Sequence, residues 1–287
     1  MIDFHVHITP PDIISDCKKY AEKEPYFSLL FYENTAFANN RKFASAEDIV
    51  AALEHEDSYF DKAVVFGFAF RDIGLCRYVN DYVIESVKKY PHRLIGFCVV
   101  PPHIEASKEI ERCYNAGLKG VGELFPAGQD IDLEDKDNTL LITDTCKEMG
   151  LPLLLHVNEQ VGHQYKGKTT VPLKHIETFV VNNPEIKIVL AHWGGGLMFY
   201  ETMPEIKESF RNVYYDTAAS PFLYDMRIYD TVKALGLCNK VLFGSDFPLL
   251  PQSKYMEAIN NSVLSHEEKQ MIMSDNALKL IFPQMPQ

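Results

Sequence analysis

The sequence predicts an α/β fold, a single (β/α)8 TIM barrel spanning residues 1–287. Three observations predict it. The chain of 287 residues, 46% of them hydrophobic, matches one such barrel, which typically needs roughly 250 residues. Eight short apolar runs recur along it, several of them near-continuous in Val, Ile, Leu and Phe, the pattern of strands buried on both faces of a parallel sheet. Helix-like segments alternate with those runs, and strand-helix alternation is the signature of parallel βαβ units.

The runs are Ile2–Val6, Ala63–Gly67, Leu94–Val99, Gly120–Leu124, Pro152–Leu155, Ile186–Ala191, Val213–Tyr215 and Val241–Gly244. Between them, Ser45 with Asp48 three residues on opens a helix that Ala51, Ala52 and Leu53 continue. The segments 104–116, 138–149 and 224–235 each stop at a glycine, the residue that ends helices with least strain. Leu173–Val181 and Leu197–Phe210 are further helical stretches, and the last lies near Ala277–Ile281. No repeat and no Pro/Gly/Ser-rich linker divides the chain.

One connection breaks the rhythm. About 55 residues separate the first two runs, and connections of that length are usually functional. Residues 9–44 carry Pro10, Pro11, Pro25 and the aromatics Tyr26, Phe27, Phe31, Tyr32 and Phe37. This long first βα connection is expected to form a lid over the barrel mouth or a subunit interface.

Composition narrows the function classes. The net charge of −12 counts against non-specific nucleic-acid or anionic-membrane binding. The longest apolar stretches fall far short of a membrane span, and the opening MIDFHVH shows no secretory pattern, so a cytoplasmic protein is expected. The six cysteines, at 17, 76, 98, 113, 146 and 238, form no CxxC pair and read as reduced thiols. HExxH, GxSxG, Walker and GxGxxG motifs are absent.

Five of the runs end in metal-type ligands: His5-Val-His7, Glu123, His156, His192 and, in Gly244-Ser245-Asp246, Asp246. In a closed parallel barrel the C-terminal strand ends share one face, where active sites sit. His5 and His7, two apart on a strand, point to one side of it. Imidazole and carboxylate donors suit a divalent metal, with zinc the first expectation and Mn2+ or Fe2+ also accommodated.

The HVH pair, His156, His192 and the GSDFP segment resemble the amidohydrolase superfamily, more closely its amidohydrolase-2 branch of metal-dependent hydrolases and non-oxidative decarboxylases. The resemblance covers nearly the whole chain. It implies that His5, His7 and Asp246 bind the more buried ion. His156 would complete a one-metal site or hold a second ion with His192. Glu123 stands where many two-metal relatives carry a carboxylated lysine, and is similar to the bridging Glu of the TatD-like branch. Lys119, near the strand start, is poorly placed to bridge. In a one-metal site His192 would be a free imidazole beside the substrate.

The resemblance implies water activation by the metal, with Asp246 as general base and then acid, cleaving a C–O or C–N bond of a lactone, ester or amide. The alternative is non-oxidative decarboxylation of an aromatic or unsaturated acid. A TatD-like nuclease and a non-catalytic metal-binding scaffold complete the readings. The expected partners are a small-molecule substrate and a second copy of the chain in a homodimer.

Around the site, Arg71 is a candidate for capturing a substrate anion, with a surface ion pair as the other reading. Arg41 is a similar, weaker case. Trp193 would line the pocket or pack under the sixth loop. Gly194-Gly195-Gly196 reads as an anion-binding nest or a tight turn. His163 and Tyr165 lie in a polar loop read as solvated. Asp216 reads as a support to the ligands or a helix cap.

Overall fold

The computed structural model describes residues 1–32, 43–165 and 167–283. Its eight parallel strands coincide with the eight apolar runs: β1 Ile2–His7, β2 Lys62–Phe66, β3 Leu94–Gly96, β4 Val121–Leu124, β5 Leu153–Leu155, β6 Ile188–Leu190, β7 Val213–Asp216 and β8 Val241–Leu242. They pair in sequence order as β1-β2-β3 and β4-β5-β6-β7-β8. Backbone bonds close both seams. Cys98 N donates to Gly120 O (3.0 Å) and Gly122 N to Cys98 O (2.7 Å), joining β3 to β4; Phe4 N donates to Phe243 O (2.7 Å) and Asp246 N to His5 O (2.9 Å), joining β8 to β1. A closed ring leaves no strand edge unpaired.

Side-chain alternation splits the core in two. Phe4, Val64, Phe66, Ile95, Phe97, Leu154, Val189 and Leu242 form an inner layer, where Phe4 meets Phe97 edge-on at 5.6 Å although their strands are not neighbours. Val6, Ala63, Val65, Leu153, Leu155 and Leu190 face outward against the helices. The register of β1 shifts between Asp3 and Val6. That irregularity lets Phe4 join the inner layer while His5 still reaches the donors at the mouth.

Helix 46–54 carries the full capping box expected from Ser45 and Asp48. Helices 106–115, 136–149, 173–182 and 228–235 follow the sequence signals, and Gly150 and Gly236 end theirs in the left-handed conformation. The stretch 197–210 is not one helix. It divides into a 3-10 turn at 197–202 and a short helix at 204–209, because Pro204 cannot supply the N–H that a continuous helix needs there. The longest described helix, 73–89, is not among the stretches named from the sequence, although Cys76, Val79, Val83 and Ile84 recur at helical spacing behind the Asp72 cap. Among the described residues no helix is long and apolar enough to cross a membrane.

The described part of the long first connection forms short helices at 11–15, 17–21 and 25–27. Phe27 is buried against Phe68 (5.2 Å) and Phe70 (5.3 Å), and Tyr26 meets Phe125 edge-on at 5.2 Å. The buried Glu24 carboxylate accepts from the backbone N–H groups of Arg71 and Asp72, each at 3.0 Å. The connection is thus fastened onto the loops that follow β2 and β4, as a wall beside the mouth. Phe37 and Arg41 lie outside the described residues.

Candidate metal centre

The strand ends deliver their donors to one place. His5 Nε2 lies 3.3 Å from His7 Nε2, 3.4 Å from Glu123 Oε2 and 3.7 Å from Asp246 Oδ1. His7 Nε2 is 3.5 Å from Glu123 Oε2 and 3.3 Å from Asp246 Oδ1. The other Glu123 oxygen, Oε1, faces His156 Nδ1 at 2.9 Å and His192 Nε2 at 3.6 Å. Two groups of three donors have all their ligand atoms within 4.8 Å of one another: His5, His7 and Asp246, and His5, Glu123 and His192. Glu123 stands between the His5–His7 side and the His156–His192 side.

The sequence sets these positions locally. At the end of β6 the chain turns through five consecutive left-handed residues, 192 to 196. His192 and Asp246 both hold positive φ, at 55° and 61°, which costs roughly 1–2 kcal/mol per non-glycine residue and recurs at functional sites. Gly195 is required there, since a Cβ would stand 2.5 Å from the Asn158 carbonyl oxygen. The Gly194–Gly196 segment is therefore a tight turn that brings the β6 end against the loop after β5.

Supporting contacts orient the rings. His5 Nδ1 donates to Asp216 Oδ2 at 2.8 Å, and Asp216 Oδ1 accepts from the backbone N–H of His192 (2.9 Å) and Ala218 (3.1 Å). His192 Nδ1 donates to Ala218 O at 3.1 Å, leaving Nε2 for the centre. Asp3, on β1, accepts from Ser245 N (2.9 Å), Ser245 Oγ (2.6 Å) and Gln252 Nε2 (2.8 Å), fixing the turn that presents Asp246. The sequence flagged Asp216 as a support. Asp3 and Asn158 it missed; the one signal was their place two residues from a ligand-type histidine.

The charges interlock. Burial favours the neutral ring of His5, but Glu123 and Asp216 more than offset it and hold its pKa well above the ordinary value. Burial likewise opposes the proton on His192, yet the bond to Glu123 and the charges of Asp246, Glu123 and Asp216 push it up to about 9. Burial would raise Asp246 and Glu123, but the neighbouring histidines bring Asp246 down to about 2 and Glu123 well below its ordinary value. Three buried carboxylates, Glu123, Asp216 and Asp246, thus need positive charge at this spot. A divalent cation meets that need with the imidazole and carboxylate donors it prefers. Solvent reaches the centre through His7 and His156, whose side chains are 27% and 18% exposed.

Both residues considered for substrate contact have partners within the chain. Arg71 pairs with Asp130 at 3.2 Å, the surface ion pair of its other reading, with its side chain 52% exposed. Trp193 is fully buried, its indole N–H donating to Ser220 Oγ at 2.6 Å and its ring packed on Tyr229, beneath the loop and off the pocket wall. The wall is built instead by Phe125, which meets His156 edge-on at 4.8 Å, with Phe68 6.5 Å behind it.

Residues 2–282 match the family model described as Amidohydrolase. The 2-amino-3-carboxymuconate-6-semialdehyde decarboxylase of Dictyostelium discoideum is 25% identical over 260 residues, covering 76% of this chain and 70% of its own. The crystal structure of 5-carboxyvanillate decarboxylase from Sphingomonas paucimobilis superposes with a TM-score of 0.77 at 16% identity, covering 98% of both chains. Dihydroxybenzoic acid decarboxylase from Polaromonas sp. JS666, solved with bound manganese and the inhibitor 2-nitroresorcinol, gives a TM-score of 0.70 at 16% identity over 98% of this chain and 96% of that one. The structural likenesses show the barrel. The expectation of C–O or C–N bond hydrolysis is overturned, because relatives that match across more than two thirds of the chain are decarboxylases.

Proposed function

The chain belongs to the amidohydrolase family, and on that premise we propose that it is a metal-dependent, non-oxidative decarboxylase of an aromatic or unsaturated carboxylic acid. The observation that carries its metal dependence is the convergence of His5, His7, Glu123, His192 and Asp246 beside an aromatic wall. The decarboxylase relatives support the reaction type.

His5, His7 and Asp246 would hold the ion, with Glu123 and His192 completing its surroundings and His156 Nδ1 adjoining them. Zinc and manganese both suit this donor set. A bound divalent ion supplies positive charge that grips substrate oxygens and stabilises negative charge developing on them.

The rest falls to the chain's own side chains. Decarboxylation breaks the C–C bond to the carboxylate, leaves its electron pair on carbon, releases CO2 and requires one proton at that carbon. Asp246 and His192 would carry that proton, one held from the β8 turn and the other aimed by its Nδ1–H bond to Ala218. Phe125 and Phe68 exclude water and offer faces for an aromatic ring.

The test is to incubate the metal-loaded protein with aromatic and unsaturated carboxylic acids and with lactones, esters and amides. CO2 release from at least one acid, lost in His7→Ala, is expected. Hydrolysis of the second group with no CO2 from the first would overturn the reading.

A further inference from the structure

The loop after β5 carries a brace of its own. Lys168 has only 4% of its side chain exposed, and its ammonium group is directed wholly inside the loop: at Glu159 Oε1 (3.1 Å), Val161 O (2.7 Å) and His163 O (3.1 Å), one partner for each of its protons. Its Nζ also lies 5.6 Å from the centre of the Tyr165 ring, which the His163 ring flanks at 5.6 Å. Gly167 packs so closely on Leu30 of the first connection that a Cβ would stand 2.2 Å from Leu30 Cδ2. The polar composition of this loop predicts a solvated segment. The structure makes it a second wall, joined to the one that carries Tyr26 and Phe27.

The Tyr165 hydroxyl stands on this wall next to the centre. Asn158 Nδ2 lies 3.1 Å from it, and Asn158 Oδ1 lies 3.2 Å from His156 Nε2. Asn158 Oδ1 also accepts from Thr169 N and Thr169 Oγ1, each at 2.8 Å, so the amide atom facing Tyr165 is the NH2 group, which can only donate. The Tyr165 oxygen therefore accepts there, and its own proton is left for another partner. Among the described residues the acceptor facing it is Glu159 Oε2 at 3.4 Å, well beyond the roughly 2.7–2.8 Å usual for an O–H···O bond. Glu159 is in any case paired with Lys168. Burial and the charges of Glu159 and Asp246 hold the phenol's pKa above its ordinary value, so the proton stays on the oxygen. The residue is 37% exposed, within reach of a molecule entering the mouth.

We propose that Tyr165 is a specificity-determining residue whose hydroxyl donates to an oxygen on the body of the substrate, away from the carboxylate that leaves. The metal donors Glu123 and His192 lie on the Nδ1 side of His156, whereas Asn158 and Tyr165 lie beyond its Nε2. Phe125 borders the same ring edge-on at 4.8 Å. A substrate ring lying along Phe125 with its reacting end at the donors carries its far substituents toward this hydroxyl. The inference deepens the decarboxylase reading above and rests on it for the bound carboxylate.

Affinity of the Zn2+-loaded protein for benzoate, 3-hydroxybenzoate and 4-hydroxybenzoate is measured by calorimetry on the wild type and Tyr165→Phe. The expected result is a wild type that binds at least one hydroxy acid about 3–10-fold more tightly than benzoate, and a variant that loses this preference while binding benzoate as before. A substitution that only loosened the loop would weaken all three acids alike and keep the ratio. A wild type without the preference, or a preference that survives in folded Tyr165→Phe, would overturn the proposal. Preferential binding with no CO2 released from any aromatic or unsaturated acid would instead overturn the decarboxylase reading, and the ratio would still judge Tyr165.

Discussion

His5 Nδ1 donates to Asp216 Oδ2 at 2.8 Å, and neither side chain is exposed to solvent. The bond joins β1 to β7 across the mouth of the barrel and turns His5 Nε2 toward His7, Glu123 and Asp246. Asp216→Asn removes the charge that holds the ring's proton on Nδ1. Calorimetric affinity for Zn2+ or Mn2+ is expected to fall about 10–100-fold; wild-type affinity in that variant would refute the role given to Asp216.

Metal binding is expected to release protons. His5 and His192 hold theirs more firmly than usual, His192 to about 9, so a cation must displace them below that pH. Apparent affinity therefore rises with pH and levels off only once both rings are neutral. Titrations in buffers of different ionisation enthalpy measure the released protons directly, and a pH-independent affinity without proton release would contradict the interlocked charges.

Glu109 bears on acid stability. It is buried and accepts from Arg112 Nε (2.8 Å), Arg112 Nη2 (2.9 Å) and Asn80 Nδ2 (2.8 Å). Burial would raise its pKa, but Arg112 and Asn80 outweigh it and bring it below the ordinary value of 4.5. Its contribution is therefore present above about 4.5 and is lost as pH falls through the lower folded value. Glu109→Gln is expected to cost about 2 kcal/mol at neutral pH and to flatten the acid limb of a denaturation profile. An unchanged acid limb would be the contrary result.

Gly195→Ala sets a methyl group against the backbone at Asn158, at a φ of 59°. The loss expected in chemical denaturation is about 1–3 kcal/mol. Metal affinity should fall with it, because the same turn carries His192. A variant as stable as the wild type would show that the turn yields.

Arg71→Ala removes a half-exposed ion pair with Asp130. Exposed pairs contribute about 0–1 kcal/mol, so stability should hardly change, and KM should stay within about twofold. A large rise in KM would restore Arg71 to the substrate.

The sequence by itself determined the eight strands, their parallel order and the end of each that bears the donors. Apolar continuity marks a strand buried on both faces, and a histidine or carboxylate at its end stands out against that background. It also marked the helix caps at Ser45, Gly150 and Gly236, where local backbone chemistry decides. The wall-forming role of Tyr26 and Phe27 was visible only as an aromatic cluster in an overlong connection. Tertiary structure alone decided the partners. Arg71 turned to Asp130, Trp193 went beneath its loop, Asp3 took the Ser245 turn and Asn158 took His156. A hydrogen bond between residues 211 positions apart, as between His5 and Asp216, leaves no local periodicity for a sequence to reveal. The donor pattern does not separate hydrolysis from decarboxylation either, because both reactions call on the same ligands.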